Sequence, residues 1–344
     1  MTQAPIRVGF LGTGFIAIYH SKSLKRGGAN VERAGIYDPD SERANAFAKA
    51  SGHFVCDSED EVIVSADAIF VCAWTSEHLR LVRKVISAGK AVFCEKPLGR
   101  TLAESQSLTD AVLTSGVINQ VGLVLRHAPA YIWARELITD PRAGRVMNVV
   151  FRDDQFIPIQ GYYASTWRSD VERAGAGTLL EHSIHDVDML RFLVGDITEV
   201  AMRSSNFHGY PGIEDSVSAV FRFENGAVGT LSSIWHDNLT RQSQRRVEIF
   251  CEHRTISIHG HEWFGPIEWN DANGDAGLLK GDDLLERTAP LAYGATNPDI
   301  AFIDAVANNT PAFPTVTTAL QSHVVVDAMY RSAFDNGATV TISD

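Results

Sequence analysis

Over the first 123 residues, short apolar runs alternate with segments whose spacing of polar and apolar residues suits helices. The run at 67–72 is nearly continuous, as a strand buried on both faces of a sheet requires. Alternation of this kind predicts a right-handed, doubly wound parallel sheet. The predicted strands are 6–11, 31–37, 53–55, 67–72, 91–94 and 117–123, and the predicted helices are 41–51, 76–88 and 101–114.

From residue 146 onward, the strand candidates follow one another, with one early helix at about 177–194. This order predicts an α+β domain whose open, largely antiparallel sheet carries helices on one face. Residues 270–297 are rich in glycine and aspartate without periodicity, so we expect a long surface loop there. The strand candidates are 146–156, 197–207, 215–223, 227–236, 246–251, 254–258 and 338–342, and the last helices are 298–307 and 316–335.

We therefore predict two domains in an α/β protein. The first, at 1–123, is a Rossmann domain with a doubly wound parallel sheet, and the second, at 124–344, is an α+β domain that binds substrate and forms the oligomer. Because one internal helix covers only one face of the second sheet, we expect a second subunit to cover the other, giving a homodimer or homotetramer.

The composition limits the classes of partner and the cellular compartment that we expect for this protein. An apolar content of 45% and a charged content of 21% over 344 residues are typical of a soluble globular protein. The net charge of −12 argues against nucleic acid and anionic membrane surfaces as main partners. The chain contains no apolar signal segment and no run near the ~20 apolar residues of a membrane helix. Four cysteines without a Cys-x-x-Cys pair indicate a reducing compartment, so we expect a cytoplasmic protein.

A glycine-rich motif, Gly12-Thr13-Gly14-Phe15-Ile16-Ala17, joins the first strand to the start of a helix. Gly12 allows the tight turn, Gly14 lets the backbone approach a pyrophosphate, and Ala17 lets helix and strand pack closely. The free N–H groups at the helix start then face the phosphates. Turns also collect glycine for purely local reasons, so the motif needs a second signal.

That second signal is Asp38, which ends the predicted second strand 21 residues after Ala17. A carboxylate there accepts hydrogen bonds from the adenosine ribose hydroxyls and disfavours a 2′-phosphate, so we predict NAD as the cofactor. The alternative reading is a turn and helix cap at 38–41. Ser41 and Arg43 lie close enough to keep NADP possible.

Two loops at the carboxyl edge of the predicted parallel sheet carry further candidates, because ligands of such sheets bind at that edge. Glu95-Lys96-Pro97 follows strand 91–94, and Lys96 could stabilise the alkoxide that develops as a hydride leaves. A solvated lysine is the alternative. Trp74, Thr75 and His78 follow strand 67–72 and suit a place beside the nicotinamide, with a helix cap by Thr75 or Ser76 as the alternative.

A polar cluster at 181–188 lies within the predicted helix of the second domain. Glu181, His185 and Asp188 are spaced i, i+4 and i+7 and so share one helix face. Glu181 could orient the imidazole of His185, whose ordinary pKa of ~6.5 suits a general base. A structural histidine is one alternative, and a metal site is another. The zincin pattern needs histidines four apart, whereas His182 and His185 are three apart, so we predict no metal.

Aromatic and cationic residues precede this helix in a loop flanked by glycines. Tyr162-Tyr163 and Trp167-Arg168 offer the flat faces and the cation that a polyhydroxylated ring needs as a platform. Ordinary packing is the alternative for these residues.

With these motifs in place, the chain resembles the glucose–fructose oxidoreductase/inositol dehydrogenase (Gfo/Idh/MocA) family of NAD(P)-dependent sugar and polyol oxidoreductases. The resemblance covers essentially the whole chain. It rests on the cofactor loop at 12–17, on the Glu95-Lys96-Pro97 triplet, and on the 177–188 segment, which corresponds to the family's Asp-x-Gly-x-His-x-x-Asp helix.

The resemblance implies that Lys96 and His185 form a catalytic pair that converges on one nicotinamide carbon, with position 181 contacting substrate hydroxyls. Glu181 replaces the family's Asp, His182-Ser183 replaces an apolar residue and Gly, and Trp74 replaces a proline. The Arg126 segment also differs from the family's more polar run. The predicted cofactor residues are Gly12, Thr13, Gly14, Phe15, Ile16, Asp38, Trp74, Thr75, His78, Glu95 and Lys96. The predicted substrate residues are Lys96, Arg126, Trp167, Arg168, Glu181, His182 and His185, of which Lys96, Glu181 and His185 are predicted to be catalytic.

We therefore expect an NAD(P)-dependent dehydrogenase that oxidises a secondary alcohol of a sugar, sugar derivative or cyclitol. An NAD-dependent glycosidase that uses transient oxidation is an alternative within the same fold. A non-catalytic sensor of dinucleotide or sugar is the other, and intact Lys96 and His185 argue against it.

Overall fold

A computed structural model of the chain describes residues 4–262, 265–291 and 297–342. These residues form two compact units. The first comprises the described residues up to Leu123 together with Asn297–Leu320. The second comprises the described residues from 124 to 291 together with those from Gln321 onward. Residues 297–320, which the sequence analysis assigned to the second domain, therefore pack in the first unit.

The first unit is built on a parallel sheet, as the sequence predicts. Among the described residues it has six strands in the order β3-β2-β1-β4-β5-β6, which is the Rossmann arrangement. Phe70 stacks between Phe10 and Phe93 at centroid distances of 5.0 and 4.7 Å, so one face of the sheet has an aromatic core. Strands β1 to β6 are Ile6–Leu11, Val31–Tyr37, Phe54–Val55, Ala68–Val71, Ala91–Cys94 and Asn119–Val121.

Five helices connect these strands in the described part of the first unit. Asp40, Ser58 and Thr101 accept backbone N–H hydrogen bonds at the starts of the second, third and fifth helices, which explains where those helices begin. Helices α1 to α5 are Phe15–Arg26, Ser41–Ser51, Glu59–Ser65, His78–Ser87 and Leu102–Ser115.

The second unit is built on a mixed, largely antiparallel sheet, which also confirms the predicted fold class. Within the described residues it has nine strands in the order β14-β13-β12-β11-β7-β10-β9-β8-β15, and only β7 and β10 are parallel neighbours. Strands β7 to β15 are Val146–Phe156, Ile197–Ser205, Ser216–Phe223, Val228–His236, Gln244–Cys251, Arg254–Glu262, Gly265–Asp271, Ala276–Leu279 and Val340–Thr341.

Alternation along these strands separates two faces of the sheet. Leu231, Phe151 and Val247 are paired across neighbouring strands and point into the core. The next row, Val220, Thr230, Val150 and Glu248, points to the opposite face, where Val220 and Val150 are exposed. The second unit therefore presents one partly apolar sheet face to its surroundings.

Helices of the second unit lie on the buried face. Helices α6 to α9 are Pro129–Thr139, Val171–Ala174, Ile184–Leu193 and Gly281–Thr288. The sequence analysis missed α6, although Pro129 at its first turn and the buried Tyr131, Ala134 and Leu137 mark an amphipathic helix. Its expectation of a single internal helix was therefore wrong.

The predicted long loop at 270–297 was also wrong for most of its length. Strand β14 and helix α9 lie within it, and residues 292–296 lie outside the described residues. Asp271, Gly274 and Asp275 form the tight turn between β13 and β14, where Gly274 has φ +89°.

Two helices follow the last gap. Helix α10, Pro298–Asn308, packs in the first unit, where Phe302 contacts the rings of Phe70 and Phe93. Helix α11, Val316–Phe334, begins in the first unit and continues in the second from Gln321.

Candidate active site

The glycine turn after β1 has the geometry that its residues predict. Gly12 has φ +88°, and a Cβ there would lie 2.6 Å from the carbonyl oxygen of Cys72, so only glycine fits. Gly14 precedes α1, and no described atom lies within 4 Å of the position that its Cβ would take. The first N–H groups of α1 follow this open space, which suits a pyrophosphate.

Asp38 is held at the end of β2 by the same turn. Its Oδ2 accepts hydrogen bonds from the backbone N–H and the hydroxyl of Thr13, at 2.9 and 3.0 Å, and its Oδ1 accepts one from the N–H of Asp40. Asp38 is nearly buried, so this carboxylate has a fixed orientation. An ordered carboxylate beside the glycine turn fits the adenosine ribose of a dinucleotide, and the residues present therefore fit NAD.

The two loops after β4 and β5 are joined by His78. Its Nδ1 lies 2.7 Å from the carbonyl oxygen of Pro97, and its Nε2 lies 3.2 Å from that of Ala73. His78 and Thr75 are buried, whereas Trp74 is half-buried. This geometry favours a supporting role for His78, and its predicted contact with the cofactor stays a prediction.

Lys96 follows β5 at the carboxyl edge of the sheet and is half-buried. The preceding Glu95 turns inward, and its Oε1 lies 2.8 Å from Nε2 of His20 on α1. The opposite ring nitrogen of His20 lies 2.7 Å from Oδ1 of Asp299 on α10. Sequence analysis missed His20 and Asp299, because residues 279 positions apart give no local pattern.

In the second unit, the His185 helix begins with an irregular turn. Leu179–Ser183 form a π-helical turn that leads directly into α8, a feature that often accompanies functional sites. His185 lies in the first turn of α8 with 5% of its surface exposed. The π turn changes the i, i+4 geometry that the sequence analysis assumed for Glu181 and His185.

Glu181 is paired with Arg168. The Nε of Arg168 donates to Oε2 of Glu181 at 2.6 Å, and the guanidinium carbon lies 4.4 Å from the Trp167 ring. The structure thus brings together three of the residues predicted for substrate binding. The predicted orientation of His185 by Glu181 stays a prediction.

Asp188 and Arg126 also form a pair within the second unit. Nε and Nη2 of Arg126 donate to the two carboxylate oxygens of Asp188 at 2.8 and 2.9 Å, and the hydroxyl of Ser322 donates to Oδ1 at 3.1 Å. Asp188 is fully buried and Arg126 nearly so. This bidentate pair therefore anchors α8, and the predicted substrate contact of Arg126 stays a prediction.

A buried charge network lies beneath the helix. Arg245 donates to Oδ1 of Asp186 at 2.7 Å and to Asp153, whose Oδ2 lies 2.8 Å from Nε2 of His182. Burial raises the pKa of Asp153, but the charges of Arg245 and His182 outweigh it and lower that pKa below its usual range. Burial, reinforced by the neighbouring Asp153 charge, raises the pKa of Asp186 well above its usual value.

The helix start is fixed by Glu214, which sequence analysis missed. Its carboxylate accepts the N–H groups of Gly177 and Leu179 at 2.8 and 2.9 Å and the hydroxyl of Tyr330 at 2.9 Å. A Cβ on Gly177 would lie 1.9 Å from the carbonyl oxygen of Glu214, which explains the glycine. Burial raises the pKa of Glu214 although these N–H groups lower it.

Comparison with known protein families shows to which family this chain belongs. Residues 6–123 match the model of an oxidoreductase family with an NAD-binding Rossmann fold, and residues 131–257 match the GFO/IDH/MocA C-terminal domain. The chain belongs to the GFO/IDH/MocA family. The predicted family, the NAD cofactor and the oxidoreductase class are thereby confirmed.

Named relatives lie at moderate similarity to this GFO/IDH/MocA chain. A 1,5-anhydro-D-fructose reductase of Ensifer adhaerens is 31% identical over 273 residues, which cover 76% of this chain and 79% of the relative. An inositol 2-dehydrogenase of Rhizobium meliloti is 26% identical, with 95% of this chain and 96% of the relative covered.

A solved structure shows the same fold. A levoglucosan dehydrogenase in complex with NADH and levoglucosan superposes with a TM-score of 0.88 at 24% identity, and the match covers 99% of this chain and all of that one. Among the described residues of this GFO/IDH/MocA protein, no helix has the length and hydropathy that crossing a bilayer requires. The same residues contain no cluster of three His, Cys, Asp or Glu side chains arranged for a metal ion.

Proposed function

We propose that this protein is a dehydrogenase that uses NAD to oxidise a secondary alcohol of a sugar, sugar derivative or cyclitol, with Lys96 and His185 as its catalytic residues. The observation that carries the proposal is the placement of Lys96 and His185 on two well-anchored elements. Lys96 follows β5 at the ligand-binding edge of an NAD-binding sheet. His185 lies in the first turn of α8, between the Arg168–Glu181 ion pair that precedes the helix and the Arg126–Asp188 ion pair within it.

The chemistry assigns a role to each residue. NAD, when bound, supplies the hydride acceptor at its nicotinamide ring. Gly14 and Asp38 bind its pyrophosphate and ribose. The imidazole of His185 accepts the proton of the substrate hydroxyl, and the Lys96 ammonium stabilises the negative charge that develops on that oxygen. Glu181, which Arg168 orients, accepts a hydrogen bond from a neighbouring substrate hydroxyl.

Charge pairing in the second unit supports a neutral substrate. Arg168 is neutralised by Glu181, and Arg126 is neutralised by Asp188 through two hydrogen bonds. A carboxylate or phosphate on the substrate would have to compete with these ion pairs. Hydroxyl-rich neutral rings are therefore favoured, in line with the names of the inositol, levoglucosan and anhydrofructose relatives.

The exposed sheet face supports assembly. Val150 and Val220 lie in one cross-strand row with Thr230 and Glu248, and such a face in a soluble protein is commonly covered by a second copy. We place the homodimer or homotetramer interface there. The four cysteines are buried and unbridged, which supports a cytoplasmic location.

A substrate screen tests the proposal. The purified protein is assayed with both NAD and NADP against inositols, levoglucosan, common aldoses and p-nitrophenyl glycosides. 1,5-Anhydro-D-fructose is supplied with NADH for the reverse direction. Formation or consumption of NADH or NADPH in the presence of at least one of the neutral sugars or polyols supports the dehydrogenase. Glycoside cleavage without net NADH would favour the glycosidase alternative, and tight NADH binding without any turnover would favour a sensor.

A further inference from the structure

His20 bridges two carboxylates inside the first unit. It lies on α1 with no exposed surface, its Nε2 is 2.8 Å from Oε1 of Glu95, and its Nδ1 is 2.7 Å from Oδ1 of Asp299. An ionised carboxylate can only accept hydrogen bonds, so both ring nitrogens must donate. Only the imidazolium form donates from both nitrogens, so two ionised partners at these distances favour a buried imidazolium cation.

The surroundings of His20 agree with this charge state. Burial lowers its pKa, but the charges and hydrogen bonds of Asp299 and Glu95 outweigh burial and raise the pKa to about 10. The rings of Phe70 and Phe93, at 5.5 and 5.0 Å, enclose the imidazole without adding charge. Cys72 is a titratable neighbour of both carboxylates, and burial together with their charges raises the pKa of its thiol, which keeps it neutral. Burial and Glu95 likewise raise the pKa of Cys94, and burial and Asp299 raise that of Tyr19.

Glu95 is held at both of its oxygens. Oε1 is bound by His20, and Oε2 accepts the backbone N–H of Lys96 at 3.2 Å. Gly122 makes room for this carboxylate, because a Cβ at that position would lie 2.5 Å from Oε1. The carboxylate thereby fixes the peptide from which the Lys96 side chain departs.

We propose that His20 is a positioning residue, which holds the Glu95 carboxylate as an oriented anion and through it sets the backbone of Lys96. The inference rests on the proposed function in one respect only, namely that Lys96 is catalytic. The proposed function uses the glycine turn and the Glu95-Lys96-Pro97 triplet. The inference adds helix α1, whose His20 helps to position Lys96 through Glu95.

A purely structural role would be to tie α10 to α1 through Asp299. Other contacts already do this. The amide of Asn297 donates to the carbonyl oxygen of Ser23, and the Ser23 hydroxyl donates back to Asn297. Gly27 also packs against Ile300, where a Cβ would lie 2.7 Å away. Substituting Glu95 and Asp299 independently therefore separates the positioning of Lys96 from the attachment of α10 to α1.

The experiment compares His20→Gln, Glu95→Gln and Asp299→Asn in the full-length protein, with His53→Gln as the matched control. His53 is another buried histidine of the same unit, and its Nδ1 lies 3.0 Å from the backbone carbonyl oxygen of Ala34 rather than from a carboxylate. Steady-state kinetics, NADH affinity by fluorescence and melting temperature are measured for each variant. We expect kcat to fall about 10-fold or more in His20→Gln and Glu95→Gln, with KM and NADH affinity little changed.

Asp299→Asn should keep kcat within about 3-fold of wild type, and His53→Gln should leave it unchanged. Wild-type kcat in His20→Gln, or equal losses in His20→Gln and Asp299→Asn, would overturn the proposal in favour of a simple helix tie. Two readouts need no substrate. Imidazole nitrogen NMR should show His20 doubly protonated at neutral pH. Amine labelling followed by mass spectrometry should show altered reactivity at Lys96 in His20→Gln and Glu95→Gln, but not in Asp299→Asn or His53→Gln.

If the wild-type protein turned over no substrate, the dehydrogenase proposal would fail while these two readouts still decided the positioning role. A neutral His20 ring, or unchanged Lys96 labelling in His20→Gln, would contradict that role whatever the activity.

Discussion

Arg168 donates from Nε to Oε2 of Glu181 at 2.6 Å, and this ion pair joins the loop after β7 to the π turn that precedes His185. Glu181 is only 2% exposed, whereas the Arg168 side chain is 23% exposed. The Arg168 guanidinium therefore fixes the position of the Glu181 carboxylate in the turn that precedes His185.

Replacing Arg168 should damage substrate binding more than cofactor binding. We expect Arg168→Gln to raise KM for the polyol by about 10-fold, because Glu181 loses its orienting partner, and to leave NADH affinity unchanged. Arg173→Gln is the control, since Arg173 pairs with Asp170 on the surface of the same loop region. Steady-state kinetics decide the point, and equal KM values for both variants would refute this role of Arg168.

Asp38 should set the choice of dinucleotide. We expect Asp38→Asn to raise Kd for NADH by about 10-fold and to narrow the preference for NADH over NADPH, because the charge that opposes a 2′-phosphate is gone. Asp40→Asn removes the neighbouring exposed carboxylate as a control. Fluorescence titration with both dinucleotides measures the effect. A stronger effect of Asp40→Asn would mean that the ribose lies elsewhere.

The buried network at Arg245 should dominate local stability. We expect Arg245→Met to lower the free energy of unfolding by about 3–5 kcal/mol at neutral pH, because Asp153 and Asp186 lose their shared cation. Arg142→Met, which breaks an ion pair with Asp140 in which the arginine side chain is 67% exposed, should have little effect. Urea unfolding measures both.

The same variant has a defined pH dependence. The lowered pKa of Asp153 in the folded protein means that its ion pair adds stability above its ordinary pKa of ~3.9, and that this stability is lost as pH falls through the folded value. The gap between wild type and Arg245→Met should therefore be largest at neutral pH and should shrink in acid. A gap that stays constant with pH would show that lost packing, rather than charge, is the cause.

The exposed sheet face should be the subunit interface. We expect light scattering after size exclusion to show a dimer or tetramer for the wild type and a monomer for Val220→Asp, since Val220 is 55% exposed in the centre of that face. Val64→Asp is the control, because Val64 is 75% exposed on α3 of the other unit. A monomeric wild type would refute the interface.

Local patterns in the sequence predict NAD as the cofactor, which is confirmed, and Gly12 and Asp38 as residues that contact it, which stays a prediction. Gly12 and Asp38 are specified by a turn and a strand end that lie close together in the sequence, and the structure joins them through Thr13. The buried strands of the first sheet were found for the same reason, since apolar runs between turn residues identify them.

Long-range pairing limited what the sequence could predict. The helical spacing of Glu181, His185 and Asp188 suggested one shared face, yet a π turn intervenes and Asp188 pairs with Arg126, 62 residues away. His20 and Asp299 meet only because the chain returns to the first unit after the second. No periodicity within a short window contains such pairings.

The most direct test of the central claim is the kcat of Lys96→Ala and His185→Ala, measured together with NADH affinity on any substrate that the screen identifies. We predict that each substitution lowers kcat by about 1,000-fold or more, while Kd for NADH stays within about 3-fold of wild type. Near-normal kcat in either variant, or a parallel loss of NADH binding, would contradict the assignment of these residues as the catalytic pair.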